Sequence, residues 1–593
     1  MVDVLRKNEV SLDGNFYHIK GPVRTSGGPQ YPEKIVFGDV DRDSGPNSIV
    51  EWSDWTGGSG LYLTDGREGM TRFNTSQCDT RHKGHLVLSV LHSAVADPSV
   101  SGAMNEISEL AGDIYAALNG GTDAYKWTHS GDTWSSKLHD FPAAVTDSEH
   151  FTLGGTEYVA FAHTGGYTYT SNGSSWTDDT TNALLLAYWD DRLWGIDNDG
   201  QLWFAITIGT EVNDARLPLP AGYVSRLFTG PDASGEDILY AATEVGLYAH
   251  DALNARFVRT KVYWPQNSEA GKGAATWNGD IYVCPGGTAV YRYDPVRGLV
   301  DRGAGLDRDA GLPSGHRGDI TRLIPTHNGL VAIVGGSTTR SAHDYNGEGW
   351  HWLFDSSAEI SGAHASDVGG TYRLYFDRSN RLRYRELFVG EVNPDIDTIN
   401  YEGSREHVTP WFTAGQNEVD KLAIRVRLDC TDMSSDETVQ VQFALDYSNT
   451  YESSTVTITA DGVTTATFPT IADNVSEAGS EFRAIRFRLL LDHDAATDTP
   501  NVKSLSLEWR RKLPAKYGFE FDIVRTLNSR DKRSPAKQKA DIITAVEKST
   551  LVDFTFVDEA GTEQNYRVDA RMQDMEQTGK GERGVTRIMA LER

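Results

Sequence analysis

With 593 residues the chain is too long for one hydrophobic core, and a hydrophobic content of 39% places it among globular proteins of two to four domains. The 84 acidic residues outnumber the 56 Lys and Arg, and the formal charge of -28 repels nucleic-acid phosphate and anionic lipid, which argues against both as partners. Cys78, Cys284 and Cys430 lie far apart, without the CxxC or Cys/His spacings of a zinc site or disulfide framework, and read as buried thiols.

The opening MVDVLRKNEVSLDGNFY has no apolar stretch of signal-peptide length, and no later run approaches a membrane span. The expectation is a protein neither exported by the usual route nor inserted in a membrane. Residues 1–60 read as an extended N-terminal segment and a candidate for closing the domain that follows. Within it Asp39, Asp41 and Asp43 alternate in GDVDRDSGPN, a spacing that can bring three oxygens to one calcium ion. They are the candidate metal ligands, and calcium is the candidate cofactor. The pattern departs from an EF-hand loop because Gly45 comes one position late and Val50 stands at the twelfth position, so an acidic turn is the competing reading.

Between residues 61 and 400 one unit recurs: a short apolar strand, a Gly- or Asp-rich turn, and a second strand ending near Trp or Phe. Examples are GDIYAALNGGTDAYKWTHSGDTW, EDILYAATEVGLYAHDALNARF and NGLVAIVGGSTTRSAHDYNGEGW. Anchored on its leading strand, the unit falls at Ile114, Tyr158, Leu193, Leu239, Ile281, Leu330 and Leu374, about 35–50 residues apart, the period of four-stranded propeller blades. A mainly β protein with a seven- or eight-bladed β-propeller is expected. LYLTDGREGMTRF around Leu61 is either an eighth copy or the strand that completes the last blade. One small blade cannot bury both faces, whereas blades set around an axis cover each other. Trp134, Trp176 and Trp350 follow Gly-containing turns (SGDTW, SNGSSW, NGEGW), and their repeated position favours packing between blades over stacking on a sugar.

After Tyr401 the strands lengthen and alternate strictly: Leu422, Ile424, Val426 and Leu428, then Val439, Val441, Phe443 and Leu445, then Ile485, Phe487 and Leu489, then Leu505, Leu507 and Trp509. This period of two predicts an antiparallel β-sandwich over residues 405–512 with one solvated face. Residues 517–593 read as a small α+β assembly domain. Its helix starts with Ser534 as N-cap and Pro535 at the first helical position, and the strands VDFTFVD, NYRVDARM and GVTRIMALE follow. Arg510, Arg511, Lys512, Lys516, Arg530, Lys532, Arg533, Lys537 and Lys539 make this stretch basic within an acidic chain, as a solvated helix face or a docking surface for an acidic neighbour.

Three stretches resemble, in order along the chain, minor tail and tail-tip proteins of tailed bacteriophages. They are WSDWTGGSGLYLTDG leading into CDTRHKGHLVL, FRAIRFRLLLDHDAATDTPNVKSLSLEW with YGFEFDIV after it, and the final helix with VDFTFVDEAGTEQNYRVDARM. The resemblance implies a structural virion component, made in the host cytoplasm and assembled into the tail by its terminal regions. Its implied partners are other phage tail proteins, copies of itself in a symmetric ring, and a host-surface glycan or protein met by an outward-facing propeller. No catalytic residues come with it.

The chain has no GxSxG elbow, no HExxH and no phosphate-binding loop, so it is not expected to be an enzyme. Asp307 and Asp309 in LDRDAG are a weaker acidic pair, and Asp197 and Asp199 in IDNDG read as a hairpin turn. Arg317-Gly318-Asp319, the tripeptide integrins recognise, is read as accidental. The alternatives are a carbohydrate-active propeller enzyme, which would set two carboxylates across a cleft, and a lectin-like sugar-binding protein.

Overall fold

A computed structural model describes residues 5–26, 48–60, 70–96, 103–301, 316–387, 400–468, 480–511, 518–526, 530, 532–548, 550–558, 560–575 and 584–592. The chain is mainly β, with one α-helix among these residues, and it divides into two units. One is Ser48–Arg510; the other joins the two chain ends, Met1–Asn47 and Arg511–Arg593.

Within Ser48–Arg510, seven antiparallel sheets succeed one another from Glu106 to Glu386, each built from strands that neighbour in sequence. Their first strands are Glu106–Leu110, Val145–Leu153, Leu185–Trp189, Val224–Pro231, Ala274–Trp277, Gly318–Pro325 and Ala363–Ser366. Each packs against the next, and Ala363–Ser366 packs against Glu106–Leu110, so the first strands form a closed ring. Two-residue turns that need positive φ join first to second strands, as at Asn278-Gly279 (φ 51° and 77°), where the left-handed pair matches the twist of the hairpin. The anchors Ile114, Tyr158, Leu193, Leu239, Ile281, Leu330 and Leu374 lie on the second strands, one strand later than the sequence pattern placed them. The apolar second strands carry the visible repeat, while the first strands face one another around the ring and are partly charged.

The seventh sheet has three strands of its own, and Ser93–Ala94 supplies the fourth by pairing with Leu382–Glu386. This differs from the expectation that residues 1–60 or the stretch at Leu61 close the ring. Residues 61–69 lie outside the described residues, as do Asp39, Asp41, Asp43, Asp307 and Asp309.

Beside two short two-stranded sheets, Gly58–Ser59 with Arg72–Phe73 and Cys78–Asp79 with Val87–Leu88, this unit holds two five-stranded sheets. One orders Glu452–Ile458, Thr438–Leu445, Ile485–Asp492, Arg405–Val408 and Thr75–Ser76; the other runs Ser48–Trp52, Asn501–Arg511, Lys421–Thr431 and Gly462–Thr467, with Ser480–Phe482 also on Lys421–Thr431. They share a core that includes Trp52, Val441, Phe443, Phe487, Leu489 and Leu507. The alternation anticipated for residues 405–512 is present, and strands from before the ring join both sheets. The three cysteines are buried and unpaired, and burial pushes their thiols upward.

The ring meets these sheets through buried polar groups. Arg81 bonds Asp79 (2.6 Å) and Asp344 (3.2 Å), and Thr80 bonds His351 Nδ1 (2.7 Å). Arg385, 1% exposed, donates to the carbonyls of Val90 (2.8 Å) and Leu353 (2.5 Å). Burial opposes the Asp79 carboxylate, but Arg81 overrides it and holds its pKa well below the usual range. Burial and Arg81 together depress the His351 imidazole to about 3. Backbone also meets backbone here: a Cβ added to Gly349 would stand 1.9 Å from the Gly57 carbonyl oxygen.

In the terminal unit, Glu9–Leu12 pairs with Asn15–Ile19 and Val552–Val557, and Glu563–Met575, Gly584–Glu592 and Gly518–Arg525 follow in order. Asn15–Ile19 also pairs with Gly518–Arg525, so the six strands close on themselves. The core includes Val10, Leu12, Tyr17, Phe519, Phe521, Phe554 and Ile588. The helix Pro535–Val546 begins where the sequence indicated, with Ser534 accepting from the Lys537 N–H, and it buries Ile542 and Ala545. Several residues of the basic stretch work inside the unit. Arg533 bonds Asp541 (2.6 Å) and the Phe16 carbonyl (2.7 Å), Arg530 pairs with Glu9 (3.3 Å), and Lys537 pairs with Asp541 (2.9 Å).

Candidate functional site

The first strands place a set of ionisable side chains around the centre of the ring: Glu106, Glu109, Asp147, Glu149, Arg226 and Arg322. Three of these strands are irregular in the same way. The pairing of first with second strand slips between Val145 and Asp147, between Val224 and Arg226, and between Ile320 and Arg322. A bulge re-aims the residue beside it. Here it precedes Asp147, Arg226 and Arg322 within the recurring pattern of a β-branched residue, a hydroxyl residue and a charge: Val145-Thr146-Asp147, Val224-Ser225-Arg226 and Ile320-Thr321-Arg322.

Both guanidiniums reach past a neighbouring sheet. Arg226 of the fourth sheet bonds Asp147 of the second (2.6 Å), and Arg322 of the sixth bonds Glu106 of the first and the Ser361 carbonyl (2.8 Å). Asp147 also accepts the Leu186 N–H (2.9 Å), and Glu149 accepts the Tyr188 N–H (3.3 Å), so both carboxyls stand in for backbone acceptors between adjacent first strands. Burial and the nearby Asp147 charge push Glu149 up to about 8, and Asp147 in turn raises Arg226. At neutral pH the strand Val145–Leu153 therefore carries a protonated Glu149 two residues from Asp147. Glu109 behaves oppositely: burial would raise it, yet the nearby His364 imidazole (3.7 Å) and a hydrogen bond from Ser366 draw it down to about 2.

The arrangement can brace the ring, since each guanidinium ties two sheets, and Glu149 can donate a proton or a hydrogen bond. The aspartates Asp39, Asp41 and Asp43 proposed for calcium cannot be placed, because they lie outside the described residues. Among the described residues no group of three or more His, Cys, Asp or Glu could hold a metal ion.

Other singled-out residues have structural roles. Trp350 is 4% exposed and packs on Tyr345 (4.9 Å), and Trp176 lies among Tyr115, Phe141 and Phe161. The Trp134 indole donates to the Ala96 carbonyl (2.8 Å). Asp197 accepts the Asp199 and Gln201 N–H groups (2.9 and 2.8 Å), as a hairpin turn requires. Asp319 of the Arg-Gly-Asp tripeptide is on a first strand and accepts the Gly287 N–H (2.5 Å). The charged ring was missed in the sequence because its strands lack an apolar repeat; the triple β-branched, hydroxyl, charge pattern is the signal that could have found it.

No protein-family model matches the sequence, and no curated protein does. Among solved structures, the chain is similar to the extracellular domain of a B. thetaiotaomicron protein described as a hybrid two-component system, with a TM-score of 0.39 and 12% identity over 51% of this chain. It spans 40% of that domain's length. A chain of a mitotic checkpoint complex gives 0.35 at 12% identity, covering 51% of this chain and 91% of that one. The Neurospora crassa Pan2 WD40 domain gives 0.36 at 11% identity, covering 51% of this chain and 95% of that one.

Proposed function

We propose that the chain is a structural component of a bacteriophage tail, a minor tail or tail-tip protein, without catalytic activity. In this reading the seven sheets are the blades of a seven-bladed propeller displayed for host-surface binding. The paired sheets are a β-sandwich behind it, and the terminal unit is the assembly module that meets other tail proteins and further copies of the chain. The observation that carries the reading is the division of the chain: both ends are woven into one closed sheet, separate as a unit from Ser48–Arg510. That is how a displayed module and a fastening module would be joined, and it accords with the order of the resembling stretches. The internal pairing of Arg226 and Arg322 supports bracing rather than substrate binding. Calcium at Asp39, Asp41 and Asp43 belongs to the same proposal.

The test is imaging of the native particle by cryo-electron microscopy, with the chain expected in the tail at a symmetric copy number. A protein that purifies from infected cells only as a free monomer would remove the reading. A carbohydrate-active enzyme is the second reading, favoured by Asp147 beside a Glu149 raised to about 8. It requires polysaccharide cleavage that Glu149→Gln abolishes.

A further inference from the structure

The outer face of the sheet containing Ile485–Asp492 is built differently from the rest of the sandwich surface. Ile485, Phe487, Leu489 and Leu491 point into the core, so the intervening Arg486 and Arg488 point outward. Aromatic rings cover both. The Arg486 guanidinium lies 4.5 Å from the Trp411 ring and 5.1 Å from Tyr451, and Arg488 lies 4.2 Å from Tyr451. Tyr447 extends the row, 4.9 Å from Trp411, and is 52% exposed.

Two details separate this row from ordinary surface packing. The first is backbone strain: Tyr447 has φ of 63°, a conformation bulky L residues rarely adopt. Its turn is held by Asp446, whose carboxylate accepts the N–H groups of Arg483 (2.7 Å) and Ala484 (3.1 Å) and whose own N–H donates to the Ala484 carbonyl (2.8 Å). A strained turn thus keeps an aromatic ring outward, where packing gains little. The second is an imbalance between the arginines. Arg488 is engaged by Gln442 (2.7 Å) and Glu406 (3.4 Å). The Arg486 side chain has no hydrogen bond or ion pair among the described residues, and its Nε is closed off from solvent without an acceptor.

We propose that this face binds an acidic saccharide, with the sugar carboxylate on the Arg486 fork and the sugar ring against Trp411 and Tyr447. A planar guanidinium without an acceptor matches a carboxylate in shape and charge. Aromatic faces match the apolar C–H faces of a pyranose, and on the adjoining strand Gln440, whose Oε1 accepts from Gln442 (3.3 Å), offers its own amide N–H to a hydroxyl. A flat, polar, aromatic surface favours a hydroxyl-rich ligand over an apolar peptide. This site deepens the surface-binding part of the proposed function by giving it a ligand class, and its test needs no phage particle.

Isothermal titration of the full-length protein with oligogalacturonate and with hyaluronan oligosaccharides is expected to show binding, and neutral dextran none. Dextran sulfate distinguishes a sulfate ester from a carboxylate as the recognised anion, and tighter binding of the sulfate would overturn the carboxylate assignment. Arg486→Gln should weaken binding at least tenfold, and Tyr447→Ala several-fold without change in the melting temperature. If Arg486→Gln fails to fold, Tyr447→Ala and Trp411→Ala carry the test. Binding unchanged in these variants, equal affinity for dextran, or no binding of either carboxylated oligosaccharide at millimolar concentration would each refute the site. Saccharide binding by a protein found in no particle would leave the site standing and remove the tail reading.

Discussion

The two units bury charge to very different extents. In Ser48–Arg510 the ring and the two five-stranded sheets meet over Asp79, Arg81, Asp344 and Arg385, with the neutral imidazoles of His351 and His407 alongside. In the terminal unit Phe519, Phe521, Phe554 and Phe556 form one aromatic cluster, and the only buried charged residues among those described are Glu9 and Arg525. Buried ion pairs add little net stability but penalise any arrangement that leaves one partner alone, whereas an apolar cluster stabilises without dictating one geometry. The larger unit is thus expected to be specific and fragile toward pH and single charge changes, and the smaller one tolerant of both. All 14 tryptophans lie between Trp52 and Trp509, so tryptophan emission reports the larger unit alone.

The largest effect should come from deleting residues 517–593. That removes every strand pairing with Glu9–Leu12 and Asn15–Ile19 except their own hairpin, and exposes Val10, Leu12, Tyr17 and Ile19. The truncated protein should keep native tryptophan emission and aggregate through its N-terminal hairpin, and under the proposed tail assignment it should no longer enter the particle. A fragment of residues 48–510 should be monomeric and equally folded. Loss of native emission in that fragment would show that the two units are not independent.

Next in size is Arg81→Met, which leaves Asp79 and Asp344 buried without their cation. It should lower the stability of the larger unit by about 3–5 kcal/mol, read from the urea midpoint of tryptophan emission, and leave the helix signal near 222 nm in place.

Acid should separate the units further. Burial depresses His343 to about 4 and His351 and His407 to about 3, whereas unfolded histidine titrates near 6.5. The unfolded chain then binds more protons, so the stability present above pH 6.5 is lost as pH falls toward 3, by about 1.4 kcal/mol per pH unit for each histidine. Glu149 and Asp377, raised to about 8 and about 7, act in the opposite direction and blunt the slope between neutral pH and about 4.5. In the terminal unit Lys537 and Arg533 outweigh burial and hold Asp541 below its ordinary value, so its contribution is lost only below pH 3.8. Tryptophan emission should therefore report unfolding at a higher pH than the helix signal does, and His351→Gln should reduce that difference.

The smallest effect is Ser534→Ala, which removes the helix cap and should cost about 1 kcal/mol in the terminal unit alone. Calorimetry should show only one of two transitions moving.

The sequence was most legible where interactions are local. The Ser534-Pro535 helix start depends on neighbouring residues, and the alternation of Val439, Val441 and Phe443 follows from one buried sheet face, so both could be read from the chain. The first strands of the ring were illegible as repeats because they present Asp147, Glu149 or Arg322 to its centre, which erases the apolar period. Strand partners more than 400 residues away, such as Val50 with Leu507 or Val10 with Phe556, leave no local trace, so from sequence the N-terminal segment reads as an extended stretch and only a candidate for closing the ring. For the sugar-binding face, alternation placed Arg486 outward, but its lack of an acceptor and the left-handed Tyr447 become visible only in three dimensions.

The pairing of both chain ends means that the protein is nested. The ring interrupts the two five-stranded sheets in the chain, and those sheets with their ring interrupt the closed terminal sheet, so each part is an insertion in the one outside it. On a ribosome the ring can close once Glu386 has emerged, because Ser93–Ala94 is already waiting. The two five-stranded sheets must wait for Asn501–Arg511, and the closed terminal sheet for Gly584–Glu592. Completion runs from the inside out, and the terminal unit, the fastening module of the proposed function, is finished last.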